Sequence, residues 1–229
     1  MIKDRNGISC DYYEGLPKNL EQINSSQAHF ILCMVAPSDI SSVHWLQAHC
    51  FYLTDLRLEC RIKMRELPDK PKRNRFEIKV IEDRKFFDKD ELCMIYHEAF
   101  VSDRRFHLKE QYDQVLANRI IDSYIKEATD LKFPLVQCLY KEQIIGCAFM
   151  QPVQDGFYIY LAGVLPKYQG SGAAVALYRA CVDYSLEHEA RIIHGRISAS
   201  NTGVMNLYAN LNANFYNPKY LYIYERREC

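Results

Sequence analysis

The chain has 229 residues, 48% hydrophobic and 25% charged, the make-up of a globular protein with enough apolar residues for one sizeable core or two small ones. Its 29 basic and 29 acidic residues cancel, which argues against nucleic acid held by bulk electrostatics. No stretch nears the roughly 18 uninterrupted apolar residues of a transmembrane helix, and the first twenty residues carry Asp4, Asp11 and Glu14 with no apolar run, so no signal peptide and no membrane partner is predicted and a cytoplasmic location is expected.

Taken in chain order, His29 to Val35 reads as a short buried strand, and Pro37-Ser38-Asp39 caps a helix with Ile40, Val43 and Leu46 at helical spacing. Leu56 to Met64 alternates apolar residues with Arg57, Glu59, Arg61 and Lys63, the pattern of a half-buried strand. Glu66 to Arg75, with two prolines and a run of basic residues, reads as a linker. Phe76 to Ile81 is a strand, Asp88 caps a helix through Leu92, Ile95, Tyr96 and Phe100, and Ser102 to His107 is a polar-aromatic loop. Leu108 to Ala128 is a long helix with Val115, Leu116, Ile120, Ile121, Tyr124 and Ile125 on one side. Two strands, Leu135 to Tyr140 and Gln143 to Gln151, turn at Lys141-Glu142, and Asp155-Gly156 signals a second hairpin into Phe157 to Leu165. A helix (Ala173 to His188), a strand (Arg191 to Ser198), a helix (Asn201 to Leu211) and a strand (Tyr220 to Glu225) complete the chain.

From Phe76 the order is β-α-α-β-β-β-α-β-α-β, which predicts a mixed α/β sheet with helices on its faces. The expected organisation is an N-terminal partial strand-helix-strand unit over residues 1–70 and a main domain over 75–229. An internal echo spaced by about 163 residues links the two. Ala28-His-Phe-Ile-Leu and Leu46-Gln-Ala-His-Cys-Phe51 are answered by Ala190-Arg-Ile-Ile-His and Leu211-Asn-Ala-Asn-Phe215. The first copy has no tyrosine at the place of Tyr208, Trp45 being nearest, so its role is expected to be structural.

Nine cysteines lie singly, with no Cys-x-x-Cys pair and no histidine cluster at ligand spacing. Reduced thiols are therefore expected, without disulfides or a metal site.

Two segments carry the chemistry. Gln169-Gly170-Ser171-Gly172-Ala173-Ala174 follows a strand ending in Val164-Leu165-Pro166 and opens a helix. Its glycines let the main chain approach a ligand and visit positive φ, and convergent N–H groups at a helix mouth suit a diphosphate. About 30 residues on, Asn201 to Phe215 places one tyrosine, Tyr208, on a helix begun by Asn201. A phenol there could donate to a leaving thiolate.

In this order the two segments resemble the acyl-CoA site of the GCN5-related N-acetyltransferase family. Gln169, Gly172 and Ala174 satisfy its Gln/Arg-x-x-Gly-x-Gly/Ala pattern, with glutamine in place of the commoner arginine. The resemblance implies a sheet splayed between its two central strands, acetyl-CoA as co-substrate, and pantetheine contacts from Gly163, Val164 and Leu165. It implies cofactor contacts from Gln169 through Ala174 and from Asn201, and Tyr208 as the general acid. Tyr158 and Tyr160 are alternatives for the acid; His194 and His107 are candidates for a base by residue type only.

The loop Ala99-Phe-Val-Ser-Asp-Arg-Arg-Phe-His107 lies where this family builds its acceptor pocket, and Arg105, Phe106 and His107 suit a phosphate or carboxylate beside a stacked ring. It resembles a segment of sugar-nucleotide N-acetyltransferases of bacterial surface-polysaccharide synthesis, which implies the amine of a nucleotide-linked amino sugar as acceptor. A peptide N-terminus, a polyamine or an aminoglycoside is the alternative acceptor, and a non-catalytic acyl-CoA-binding module the alternative class. Monomer and homodimer both fit the sequence.

Overall fold

A computed structural model describes residues 2–3, 9–17, 23, 30–68, 75–101 and 114–226. Ten strands and five helices occur among them. The strands are β1 (Ile2–Lys3), β2 (Ser9–Glu14), β3 (Phe30–Val35), β4 (Tyr52–Lys63), β5 (Glu77–Ile81), β6 (Leu135–Tyr140), β7 (Gln143–Val153), β8 (Gly156–Val164), β9 (Ile192–Ser198) and β10 (Asn214–Glu225). The helices are α1 (Ile40–Ala48), α2 (Lys89–Ala99), α3 (Gln114–Asp130), α4 (Ala173–Glu187) and α5 (Thr202–Ala209). From β5 onward the order is the one read from the sequence, and the fold is the expected mixed α/β sheet.

The chain forms two compact units that interleave in sequence: residues 1–59, 197–201 and 216–229, and residues 60–196 and 202–215. All of β10 from Tyr216 on belongs to the first unit, and only Asn214 and Phe215 to the second.

In the first unit β2 runs parallel to β3, and β10 pairs antiparallel with β3 from Tyr220↔Val35 to Glu225↔Phe30. Asp39 caps α1, its carboxylate accepting from the Ser42 amide at 3.1 Å and the Ser42 hydroxyl at 2.6 Å. Ile31, Cys33, Val35, Leu46, Phe51 and Tyr222 form its core.

The strands starting at Phe30 and Ile192, the helices starting at Ile40 and Thr202, and the twelve-residue strands starting at Tyr52 and Asn214 are each 162 residues apart.

In the second unit β5, β6, β7 and β8 form an antiparallel meander. Lys141 and Glu142 both take positive φ (51° and 64°), the turn whose twist matches a two-residue hairpin. Asp88 caps α2 by accepting the amides of Asp90 and Glu91, both at 3.0 Å. Leu92, Ile95 and Tyr96 of α2 and Ala117, Ile121 and Ile125 of α3 bury against Leu135, Phe149 and Leu161 of the sheet. Val115, read from the sequence as part of α3's apolar side, is 47% exposed; the buried stripe runs through Ala117, Ile121, Ile125 and Ala128.

β8 then runs parallel to β9 for three residue pairs only, ending at Tyr158↔His194. Beyond that rung residues 159–164 keep their ladder with β7, with one extra β8 residue between Ile159 and Leu161, a bulge at Tyr160. The strands part on the β9 side, which is the predicted splay.

Candidate active site

The turn after β8 is open to solvent. Gln169, Gly170 and Gly172 are exposed, and Ser171 and Ala174 are partly so. Gly170 (φ +76°) and Gly172 (φ +91°) have free space where a Cβ would stand, so backbone conformation, not crowding, requires glycine at both. Gly172 is the N-cap of α4.

Three of the turn's amides are used internally. Gln169 N–H donates to Pro166 O (3.1 Å), Ser171 N–H to Tyr168 O (3.2 Å) and Ala173 N–H to Ser171 Oγ (3.3 Å). The first turn of α4 leaves the N–H groups of Ala174 and Val175 with no carbonyl four residues back inside the helix; the first main-chain bond is Ala176 N–H to Gly172 O. Those orphan donors and the positive end of the helix dipole face the exposed glycines, and they fit an anionic diphosphate. The Gln169 side chain reaches back to Val164 O at 3.4 Å. Arg75, which the sequence reading assigned to a linker, donates from its guanidinium to Ser171 O at 2.8 Å. It brings to the turn a positive charge of the kind that Gln169 does not supply.

On β8, Gly163 is needed for packing: a Cβ there would stand 2.8 Å from the Cβ of Ala99 in α2. Val164 and Leu165 are buried, and Leu165 N–H donates to Ile145 O at 2.9 Å. Tyr96, fully buried on α2, donates its hydroxyl to Leu161 O at 3.2 Å, in the part of β8 that has left β9.

Tyr208 is 1% exposed. Tyr178 of α4 meets it edge-on at 5.3 Å between centroids. Its hydroxyl lies against Gly195, the first β9 residue beyond the last rung with β8, so the phenol points at the place where the strands part. A Cβ at Gly195 would overlap that hydroxyl and stand 3.0 Å from Tyr208 Cζ and 3.0 Å from Cys60 Sγ. Burial, with smaller contributions from Tyr178, Cys60 and Tyr158, holds the Tyr208 pKa well above the usual phenol value. The group is a neutral O–H at physiological pH.

Asn201 is exposed just before α5, its N–H on Ser198 O at 3.1 Å. Of the alternative acids, Tyr160 donates to Glu127 Oε2 at 2.8 Å. His194 is paired with Asp155 (Nε2 to Oδ1, 2.8 Å), a contact that ties β9 to the β7–β8 turn. Arg105, Phe106 and His107 lie outside the described residues. Sequence reasoning missed Gly195, Cys60 and Tyr178 around the phenol. An isolated glycine inside a strand pattern, Ile192-Ile-His-Gly-Arg-Ile, was the available signal for close approach.

Comparison with known proteins gives the family and the fold. The profile of the Acetyltransferase (GNAT) family matches residues 89–212, and the chain belongs to that family. Similar solved structures include a GCN5-related N-acetyltransferase from Sphaerobacter thermophilus (TM-score 0.62, 17% identity, covering 86% of this chain and 59% of that one). A conserved protein of unknown function from Staphylococcus epidermidis ATCC 12228 is similar over 94% of this chain and 84% of its own (TM-score 0.68, 12% identity). A tandem GNAT protein from the clavulanic acid biosynthesis pathway is similar over 90% of this chain and 66% of its own (TM-score 0.58, 12% identity). At these identities the likeness is one of fold. The chain spans about three fifths of the Sphaerobacter protein it matches. No curated protein matches the chain by sequence. No helix among the described residues is long and apolar enough to cross a membrane.

Proposed function

We propose that the protein is an acetyl-CoA-dependent N-acetyltransferase that acetylates a primary amine by direct attack in a ternary complex. The observation that carries this reading is the parting of β8 and β9 at Tyr158↔His194, with an exposed glycine turn after one strand and a phenol aimed at the fork. Acetyl-CoA supplies an acetyl group activated as a thioester. The amides at the head of α4, with Arg75 beside them, would hold the diphosphate. The edge of β8 freed from β9, around Gly163, Val164 and Leu165, would offer main-chain groups to the peptide-like pantetheine. Tyr208 would hydrogen-bond the departing sulfur. With its acidity weakened by burial, the phenol acts mainly as a preorganised donor to developing thiolate charge, and full proton transfer is the lesser part.

The acceptor we propose is the amine of a nucleotide-linked amino sugar. Its support is the chemistry of Arg105, Phe106 and His107 and the likeness of Arg105-Phe106 to a segment of dTDP-fucosamine acetyltransferase. A second reading, an acyl-CoA-binding module without turnover, is favoured by one observation: the Tyr208 phenol is enclosed by Tyr178, Cys60 and Gly195. A thiol-release assay with acetyl-CoA across nucleotide-linked amino sugars, polyamines and short peptides separates them. Turnover with the amino sugars is expected; coenzyme binding with no release from any acceptor would establish the second reading, and turnover with polyamines or peptides alone would replace the acceptor.

A further inference from the structure

Away from the coenzyme turn and the phenol, helices α2 and α3 bring together three side chains of metal-ligand type. Cys93 and His97 sit one helical turn apart on α2, a spacing that stacks their side chains on one face. Asp122 faces them from α3, with His97 Nε2 2.7 Å from Asp122 Oδ1 and the Cys93 thiol also bonded to that carboxylate. The potential ligand atoms of the three all lie within 4.8 Å of one another. The sequence reading found no ligand spacing because Asp122 is distant in the chain and Cys-x-x-x-His alone is a weak signal.

We propose that Cys93, His97 and Asp122 form a binding site for one zinc ion, which bridges α2 and α3 and is separate from acetyl transfer. A thiolate, an imidazole and a carboxylate together favour Zn²⁺ over the hard cations Ca²⁺ and Mg²⁺. Zinc bonds of about 2.0–2.3 Å place tetrahedral ligands roughly 3.3–3.8 Å apart, so side-chain rotations of less than about 1 Å bring these atoms into place. The His97 and Asp122 side chains are 26% and 43% exposed, which gives an ion a route in and a water a fourth position. On binding, the metal–sulfur bond replaces the S–H bond and one proton leaves to solvent. A carboxylate oxygen of Asp122 and an imidazole nitrogen of His97 each supply a lone pair. A cross-link between helices separated by the 102–113 connection stabilises the folded state by linkage.

The test uses the reduced, metal-free full chain titrated with Co²⁺ and then Zn²⁺. One equivalent of Co²⁺ should give thiolate-to-cobalt charge-transfer absorption and the visible bands of a four-coordinate ion, both bleached by Zn²⁺. Cys93→Ser should abolish the charge-transfer band, Asp122→Asn should weaken binding about 10–100-fold, and Cys50→Ser, at an exposed cysteine, should change neither. Zn²⁺ should raise the melting temperature of the parent chain and not of Cys93→Ser. Absence of the band in the folded parent chain overturns the proposal whatever the variants do, and so does a band that survives in Cys93→Ser. Should Cys93→Ser fail to fold, the same loss of affinity is read in His97→Gln. Acetyl-CoA binding unchanged by Zn²⁺ is expected; its loss would place the ion in the coenzyme site and refute the separation.

Discussion

Replacing Gly195 by alanine tests the position of the Tyr208 phenol without altering the phenol itself. The new methyl would overlap the Tyr208 hydroxyl and stand 3.0 Å from both Tyr208 Cζ and Cys60 Sγ, whereas ordinary contact begins near 3.4 Å. Cys60 closes the other side, so the ring must retreat from the fork by about 1 Å. Overpacking of this kind costs about 1–3 kcal/mol, read as a lowered urea midpoint. A displacement of about 1 Å in a positioned group can cost about 10²-fold in rate. The expected result in a thiol-release assay with the best acceptor is therefore a kcat reduced about 10²-fold, with the acetyl-CoA dissociation constant changed less than about threefold. Tyr208→Phe should show a similar fall in kcat with little loss of stability. Full turnover in both variants would refute the placement of the phenol in the reaction. A fall in Gly195→Ala alone would assign the effect to packing of β9.

Three further outcomes are expected. Gly172→Asp should remove measurable acetyl-CoA binding by calorimetry, because an L-residue is strained at φ +91° and a carboxylate would sit against the diphosphate; retained affinity would move the phosphates elsewhere. Arg75→Ala should weaken acetyl-CoA binding about 2–5-fold, with the difference shrinking as salt rises, since its guanidinium is exposed; a salt-independent loss would mean a packing role instead. The Asp155 pKa lies below its ordinary value, chiefly through the hydrogen bond from His194. A lowered folded pKa contributes stability present above the unfolded value of 3.8 and lost as pH falls through the folded one. Melting of the parent chain and of Asp155→Asn should accordingly differ at about pH 6 and converge toward about pH 3; a constant difference would show that ionisation plays no part.

What could be read from the chain follows the range of the interactions. The caps at Asp39 and Asp88, the Lys141-Glu142 turn and the element order from β5 onward depend on neighbours within a few residues, and the structure has them. Strand starts were harder. β4 begins at Tyr52, not Leu56, and Asp55 is buried in the strand, where it accepts the Ser198 hydroxyl at 2.6 Å. β10 begins at Asn214, not Tyr220, and runs through Asn217, which takes positive φ (48°) and bonds Glu59 through its side chain at 3.0 Å. At the site, the glycine turn was legible as a local pattern. The enclosure of Tyr208 was not, since Cys60, Tyr178 and Gly195 come from three separate segments. β8 and β9 are distant in the chain, so the end of their pairing at Tyr158↔His194 is not a local signal.

The most direct test is a crystal structure of the protein with acetyl-CoA bound. Diphosphate oxygens are expected within hydrogen-bond distance of the amides between Gly170 and Val175, with the pantetheine lying along β8 beyond Tyr158 and the thioester sulfur about 3–3.5 Å from the Tyr208 hydroxyl. A coenzyme seated elsewhere, or a phenol still enclosed by Cys60 and Tyr178 with no path to the sulfur, would contradict this arrangement.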